Sequence, residues 1–190
     1  MSRSIVLASA SPRRRDLLAG AGVEFVVRPV EFDEVVFEGE APRAYTRRVA
    51  IGKAVAADAR DPDGGPDLVV LAADTTVALD EWIPGKPGSR ERAIETLSRL
   101  SGRTHQVHTA VVVRGNRRLW SRLVTTAVRF RTLGRAEIAA YVDGGEPLDR
   151  AGGYAIQGGA GAFVDRIVGS YTNVVGLPLR ETLELLQAAR

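Results

Sequence analysis

The sequence predicts an α/β or α+β fold, and three observations carry that expectation. Helix-like and strand-like segments alternate through the first half of the chain. Two long β-rich segments, joined by Gly115-Asn116, make an antiparallel pair in the middle. Of the 190 residues, 45% are hydrophobic, enough to bury a substantial core.

Taken in order, residues 4–8 (SIVLA) read as a short buried strand. Residues 12–19 read as a helix, with Ser11 as N-cap, Pro12 at the first helical position and Gly20 as its close. Residues 23–29 (VEFVVRP) alternate as a strand does, and a loop, VEFDEVVFEGE, follows. A long helix is predicted over 42–59, then a turn-rich linker, DPDGGPD. A second buried strand covers 68–73 and ends at Asp74, with 76–79 and 82–84 as a hairpin around Asp80-Glu81. A helix over 90–100 ends before Gly102. The long β pair covers 106–114 and 119–130, and 135–143 is a short helix. The glycine-rich AGGYAIQGGAGAFV leads into a strand over 163–168, and the final helix is 179–188. Neither side of the DPDGGPD segment makes a balanced core alone, so residues 1–190 are read as one domain of two lobes.

Charge and composition narrow the function. Lys and Arg total 26 against 23 Asp and Glu, a net charge of +3. A balance this mild suits anionic ligands better than a nucleic-acid coat. Basic residues interleaved with exposed aromatics, the pattern of a single-strand binder, are not evident. There is no apolar run of about eighteen residues and no secretory-signal pattern. With no cysteine, disulfide and thiolate chemistry are excluded. The expectation is a soluble cytoplasmic protein without membrane or nucleic-acid partners.

One stretch, LASASPRRRDLL, sets a problem. Arg13, Arg14 and Arg15 crowd the first turn of a helix, where cations oppose the dipole by about 0.3–1 kcal/mol each. A strand, a serine turn and a helix N-terminus together make a common anion site, and Ser9 and Ser11 add hydroxyl donors. Guanidinium groups match phosphate oxygens bidentately, so a polyphosphate would explain the crowding. Solvated arginines paired with Asp16 or Glu24 would explain it equally well.

Other candidates are ambiguous in the same way. Lys53 falls at the edge of an apolar stripe of Tyr45, Val49 and Ala56, where the local sequence favours a snorkelling lysine over one aimed into a cleft. Asp74 closes a buried strand, a place where α/β proteins put ligand groups, and it suits general-base work or Mg²⁺ ligation. The alternative is a local turn cap with Thr76. Glu34, a second candidate carboxylate, lies in a loop whose local sequence favours a solvated acid. Lys86, between Gly85 and Pro87, is presented from a stiff loop.

Other motifs are missing. GGAGAFV lacks the last glycine of a dinucleotide fingerprint and precedes a strand, and no G-x-x-x-x-G-K-[ST] loop occurs. His105 and His108 fall on opposite faces of a strand and are not read as metal ligands.

The segments LASASPRRRDLL, AADTTV, GKP, LSGRTHQVHTAV, EPLDRAGGYAIQG and GSYTNVVGLPL, in this order, resemble the Maf family of nucleoside triphosphate pyrophosphatases across nearly the whole chain. The resemblance implies an α/β fold with a central mixed sheet flanked by helices, and two lobes around a deep cleft. That fold is similar to the inosine triphosphate pyrophosphatase fold. It further implies a homodimer and a divalent metal, Mg²⁺ or Mn²⁺, held by Glu34 and Asp74. Ser9, Arg13 and Arg14 match the family's serine-arginine phosphate motif, and Glu34, Lys53, Asp74 and Lys86 its catalytic and phosphate-binding acids and lysines. Arg14, Thr75 and Gln157 look like the signature of the members that hydrolyse dTTP and UTP, as against 7-methyl-GTP. The amide of Gln157 offers a donor and an acceptor, which suits a pyrimidine edge. The implied reaction releases nucleoside monophosphate and pyrophosphate. The resemblance also admits a non-enzymatic role in regulating septum formation.

Overall fold

The computed structural model describes residues 4–59, 68–116 and 118–189. The DPDGGPD segment lies outside them. Six strands, β1 (Ser4–Leu7), β2 (Val26–Val27), β3 (Leu68–Ala78), β4 (Thr104–Gly115), β5 (Arg118–Phe130) and β6 (Val164–Val168), form one sheet in the order β2-β1-β3-β4-β5-β6. β1 runs parallel to both its neighbours, and every other pairing is antiparallel. Around the sheet stand α1 (Pro12–Gly20), α2 (Pro42–Ala59), α3 (Arg90–Leu100), α4 (Arg135–Asp143), α5 (Tyr171–Val175) and α6 (Leu179–Ala188). The expected mixed sheet with flanking helices is what forms.

Period-two alternation distributes the core. One face of the sheet carries Leu7, Leu71, Val111 and Val113 against Leu18 of α1 and Leu185 and Leu186 of α6. The other carries Val70, Ala72, Ala110 and Val112 against Ala50, Ala54 and Ala57 of α2, where small side chains bring helix and sheet close. Farther along the long strands a third cluster packs Phe130 with Leu97 and Leu100 of α3 and Ile138 and Val142 of α4. Two packing regions thus share β3, β4 and β5, and a cleft opens between them.

Several expectations change. β3 does not end at Asp74. It continues to Ala78 because β4 keeps pairing with it, through Asp74↔Ala110, Thr75↔Thr109 and Thr76↔His108. Its parallel partner β1 stops opposite Leu71, so β3 loses one neighbour just before Asp74. The hairpin turn at Asp80 does form, with Leu79 and Trp82 exchanging backbone hydrogen bonds of 3.0 Å. The strand expected over 23–29 shrinks to Val26–Val27, an edge pair with exposed side chains. On α2 the buried apolar stripe is Tyr45, Val49, Ala50, Ala54 and Ala57, while Ala56 is only half-buried.

α5 was not anticipated. Five residues carry little periodicity, and the helix is fixed from outside by the buried Asn173, whose Nδ2 donates to the Val107 carbonyl (2.9 Å) and the Thr126 hydroxyl (3.0 Å).

Candidate active site

A cleft of about 380 Å³ runs between the two packing regions. Every residue that the sequence offers as catalytic or substrate-binding lines it: Ser9, Arg13, Arg14, Glu34, Lys53, Asp74, Thr75, Lys86 and Gln157. Five cations, counting Arg150, face three acids, counting Asp149. That balance favours a polyanion.

Alternation along β3 sends two consecutive side chains to different helices. Asp74 continues the face that α2 covers, and Thr75 continues the face toward α1. Lys53 Nζ lies 2.8 Å from Asp74 Oδ1 and 2.6 Å from Glu34 Oε1. The ammonium therefore sits between two carboxylates brought from β3 and from the loop after β2. Its side chain is only 11% exposed, so Lys53 points into the cleft and does not snorkel. Glu34 is likewise no solvated loop acid. Burial pushes its carboxyl up, but the Lys53 hydrogen bond and charge, with Lys86 and Arg14 nearby, outweigh that and hold it below the ordinary range. Thr76 Oγ1 donates to Asp74 Oδ2 at 3.3 Å, so both Asp74 oxygens have donors. This contact is made along a strand, not in a turn cap.

The adjacent arginines divide the work. Arg14 is buried, and its guanidinium is almost fully used inside the protein. Nε donates to the Gly176 carbonyl (2.8 Å), Nη1 to the Ala73 carbonyl (2.8 Å) and Ser9 Oγ (3.1 Å), and Nη2 to Thr75 Oγ1 (3.0 Å). It ties α1, β3 and the end of α5 into one wall. Arg13, one residue earlier, is half-buried, and its Nε has no protein partner. Burial, then the nearby Arg150 and Arg14, lower its affinity for its proton. Ser11 stands at the N-cap of α1 but its hydroxyl makes no capping bond, and no acid sits in the first turn. The positive end of this helix faces the cleft without an internal anion.

Across the cleft, Lys86 stands exposed on a loop fastened to the glycine-rich segment, where Gly152 N donates to the Gly85 carbonyl (2.9 Å) and Gly88 N to the Leu148 carbonyl (2.9 Å). Gly152 has φ +70° and Val77 so near that an added Cβ would approach it to 2.7 Å. No other residue fits there. Gln157 is exposed on the turn that follows. Arg150 received no role from the sequence. Its only signal was a cation just ahead of AGGYAIQG. Tyr45, expected as core, also has a site contact, donating its hydroxyl to the Glu34 carbonyl at 2.9 Å.

Glu34 and Asp74 offer a hard divalent cation two carboxylates and nothing softer. Among the described residues no three His, Cys, Asp or Glu side chains gather as a cage. Two carboxylates completed by substrate phosphates and water are the usual way Mg²⁺ is held, so the donor set fits. The histidines serve the core: His105 Nε2 pairs with Tyr154 OH at 2.8 Å and His108 Nδ1 with Thr125 Oγ1 at 2.9 Å.

Residues 4–189 match the sequence profile of the family described as Maf-like protein. The chain belongs to the Maf family. Among its relatives, the dTTP/UTP pyrophosphatase of Roseobacter denitrificans is 49% identical, spanning 97% of this chain and 96% of the relative. That of Anaeromyxobacter dehalogenans strain 2CP-1 is 50% identical, over 100% and 95%. The Staphylococcus aureus Ham1 protein shares the fold, with a TM-score of 0.50 at 17% identity, over 98% of this chain and 97% of that one. No helix of the described Maf-family chain is long and apolar enough to cross a membrane.

Proposed function

We propose that this Maf-family protein is a nucleoside triphosphate pyrophosphatase acting on dTTP and UTP. One observation carries the reading: an acid–ammonium–acid line, Glu34–Lys53–Asp74, inside a cation-rich cleft. The relatives' names fit it and supply the substrate class.

In this mechanism water attacks the α-phosphorus, the bond from that phosphorus to the α–β bridging oxygen breaks, and pyrophosphate leaves with the electron pair. Asp74, aligned by Lys53 and Thr76, takes the proton from water. Ser9, Arg13 and the N-terminus of α1 hold the phosphates. Arg150, which lies near Arg13 in the cleft and pairs with Asp149 at 3.3 Å, joins them as a further cation for the phosphates. Lys53 and Lys86 offset charge as pyrophosphate forms. Such groups act mainly by positioning and by stabilising charge already in place. A divalent cation held by Glu34 and Asp74 would supply Lewis-acid charge to the phosphate oxygens. Gln157 reads the pyrimidine edge. Arg14, whose donors are engaged with the protein, contributes to selection by fixing Thr75 and the Ser9 turn. A homodimer remains part of the proposal.

The test is pyrophosphate release with Mg²⁺ or Mn²⁺ from dTTP, UTP, CTP, 7-methyl-GTP, GTP, ATP and ITP, beside Asp74→Asn. Release from dTTP and UTP, lost in the variant by about 10²–10⁴-fold, is expected. Release from 7-methyl-GTP alone overturns the substrate. No release from any nucleotide overturns the enzyme.

A further inference from the structure

The loop that carries Glu34 has almost no core of its own. Val35, Val36 and Phe37 are 56%, 42% and 56% exposed. Ordering such a segment costs conformational entropy, so something must hold it. Most of the fasteners come from α2. Arg48 donates Nε to Glu40 Oε1 (2.6 Å) and Nη2 to Glu40 Oε2 (2.7 Å), a bidentate pair, and Nη2 also to the Val35 carbonyl (2.7 Å). Its guanidinium carbon lies 3.9 Å from the centre of the Phe37 ring. The Phe37 N–H donates to Glu40 Oε2 at 3.2 Å, closing the loop on itself. Tyr45 holds the Glu34 carbonyl, and the Phe32 ring rests on Gly52, where an added Cβ would come within 2.1 Å of Phe32 Cζ. The same helix carries Lys53. One rigid element therefore holds both the strap and the ammonium that its carboxylate must meet.

We propose that Arg48, clamped to Glu40, is a positioning residue for the reaction: it holds the 32–40 strap so that the Glu34 carboxylate stands at Lys53. The proposal rests on the reading of Glu34 given above. Arg48 lines no part of the phosphate cleft, so its influence passes through the strap. The pair is part-buried, with the Arg48 and Glu40 side chains 28% and 11% exposed, but neither residue belongs to the packed clusters that hold the sheet and helices together. Catalysis and folding should therefore separate.

The experiment is a double-mutant cycle on dTTP turnover with Arg48→Ala, Glu34→Gln and the two combined, beside amide hydrogen exchange. Arg48→Ala should lower kcat by about 10²-fold, the scale of a small misplacement, with KM within about threefold. Exchange should rise across 31–41 while β3 and β4 stay protected. In the Glu34→Gln background Arg48→Ala should cost less than about twofold more, because its route to the chemistry is already gone. Arg48→Lys should recover part of the loss. If Arg48→Ala does not fold, Glu40→Gln, which keeps shape but weakens the clamp, should give a smaller loss of the same kind. Undiminished turnover in Arg48→Ala beside an impaired Glu34→Gln overturns the strap, as does an equal loss in both backgrounds. Undiminished turnover in Glu34→Gln overturns the reading of Glu34 itself.

Discussion

Lys53 Nζ and Asp74 Oδ1 stand 2.8 Å apart, joining the middle of α2 to the point on β3 just past its last pairing with β1. Without that ammonium, Asp74 and Glu34 would face each other as like charges. Lys53→Met should cut turnover by about 10²–10³-fold, the scale of losing one charge-stabilising donor. It should also change how stability depends on pH. In the native protein Glu34 is held below its ordinary value of 4.5, so its contribution is present above that pH and is lost as pH falls through the lower folded value. Lys53→Met removes the hydrogen bond and the largest opposing charge, so burial pushes the carboxyl back up against Lys86 and Arg14 alone and much of that contribution is lost. Urea unfolding should therefore find the variant most impaired near pH 7.5 and closest to the parent near pH 4. Glu34 is 39% exposed, so solvent moderates the effect.

Arg13 and Arg14 should respond oppositely to truncation. Arg14→Ala removes the buried donors to the Ala73 and Gly176 carbonyls and to the Ser9 and Thr75 hydroxyls, and although Thr75 and Ser9 keep other partners, a loss of about 1–3 kcal/mol in urea unfolding follows. Arg14→Lys should not rescue it, because one ammonium cannot reproduce the planar fork. Arg13→Ala removes a half-buried cation beside Arg150 and at a positive helix end, so the unfolding midpoint should hold or rise. Its KM for dTTP should rise about 10–10²-fold. A destabilised Arg13→Ala would contradict the division of labour.

The limits of α2, α3, α4 and α6 were legible because proline, serine and glycine mark their ends and apolar spacing marks their faces. The extent of β3 was not. Asp74 looks like a strand breaker, and pairing with β4 carries the strand through it. The nine candidate residues could be named, but Lys53 and Glu34 each had a bland alternative, since their meeting is a tertiary fact. Arg13 and Arg14 cannot be told apart in a run of three. A turn of about 100° between neighbours on a helix is what buries one and leaves the other facing the cleft. Arg48 gave no local sign of a role, because all its partners lie in an irregular loop.

Both histidines should stay neutral in the folded protein well below the usual range. Burial lowers each from 6.5 to about 4, with Arg43 adding to the effect at His108. The unfolded chain thus binds more protons between those values, so stability is fully present above pH 6.5 and declines as pH falls toward 4. For His105 the loss approaches about 3 kcal/mol, at 1.36 kcal/mol per pH unit of displacement. Imidazole proton resonances followed by NMR should show no titration above about pH 5. A midpoint near 6.5 for either ring would refute the burial argument.

Gln157 stands exposed on the turn after the glycine-rich segment and lines the cleft that Asp74 enters from the sheet. An amide can donate to one atom of a pyrimidine edge and accept from another, whereas a carboxylate can only accept. Gln157→Glu would therefore leave a base carbonyl facing a negative oxygen. A mismatch of one polar contact in a binding pocket costs about 1–3 kcal/mol, so kcat/KM for dTTP and UTP should fall by roughly 10–10²-fold. Unfolding should be unchanged, because the side chain lies at the surface. The loss should be smaller for GTP, whose edge presents N–H donors to a carboxylate, so the ratio of the two rates is the informative quantity. Equal losses for pyrimidine and purine substrates would mean that Gln157 shapes the cleft without reading the base.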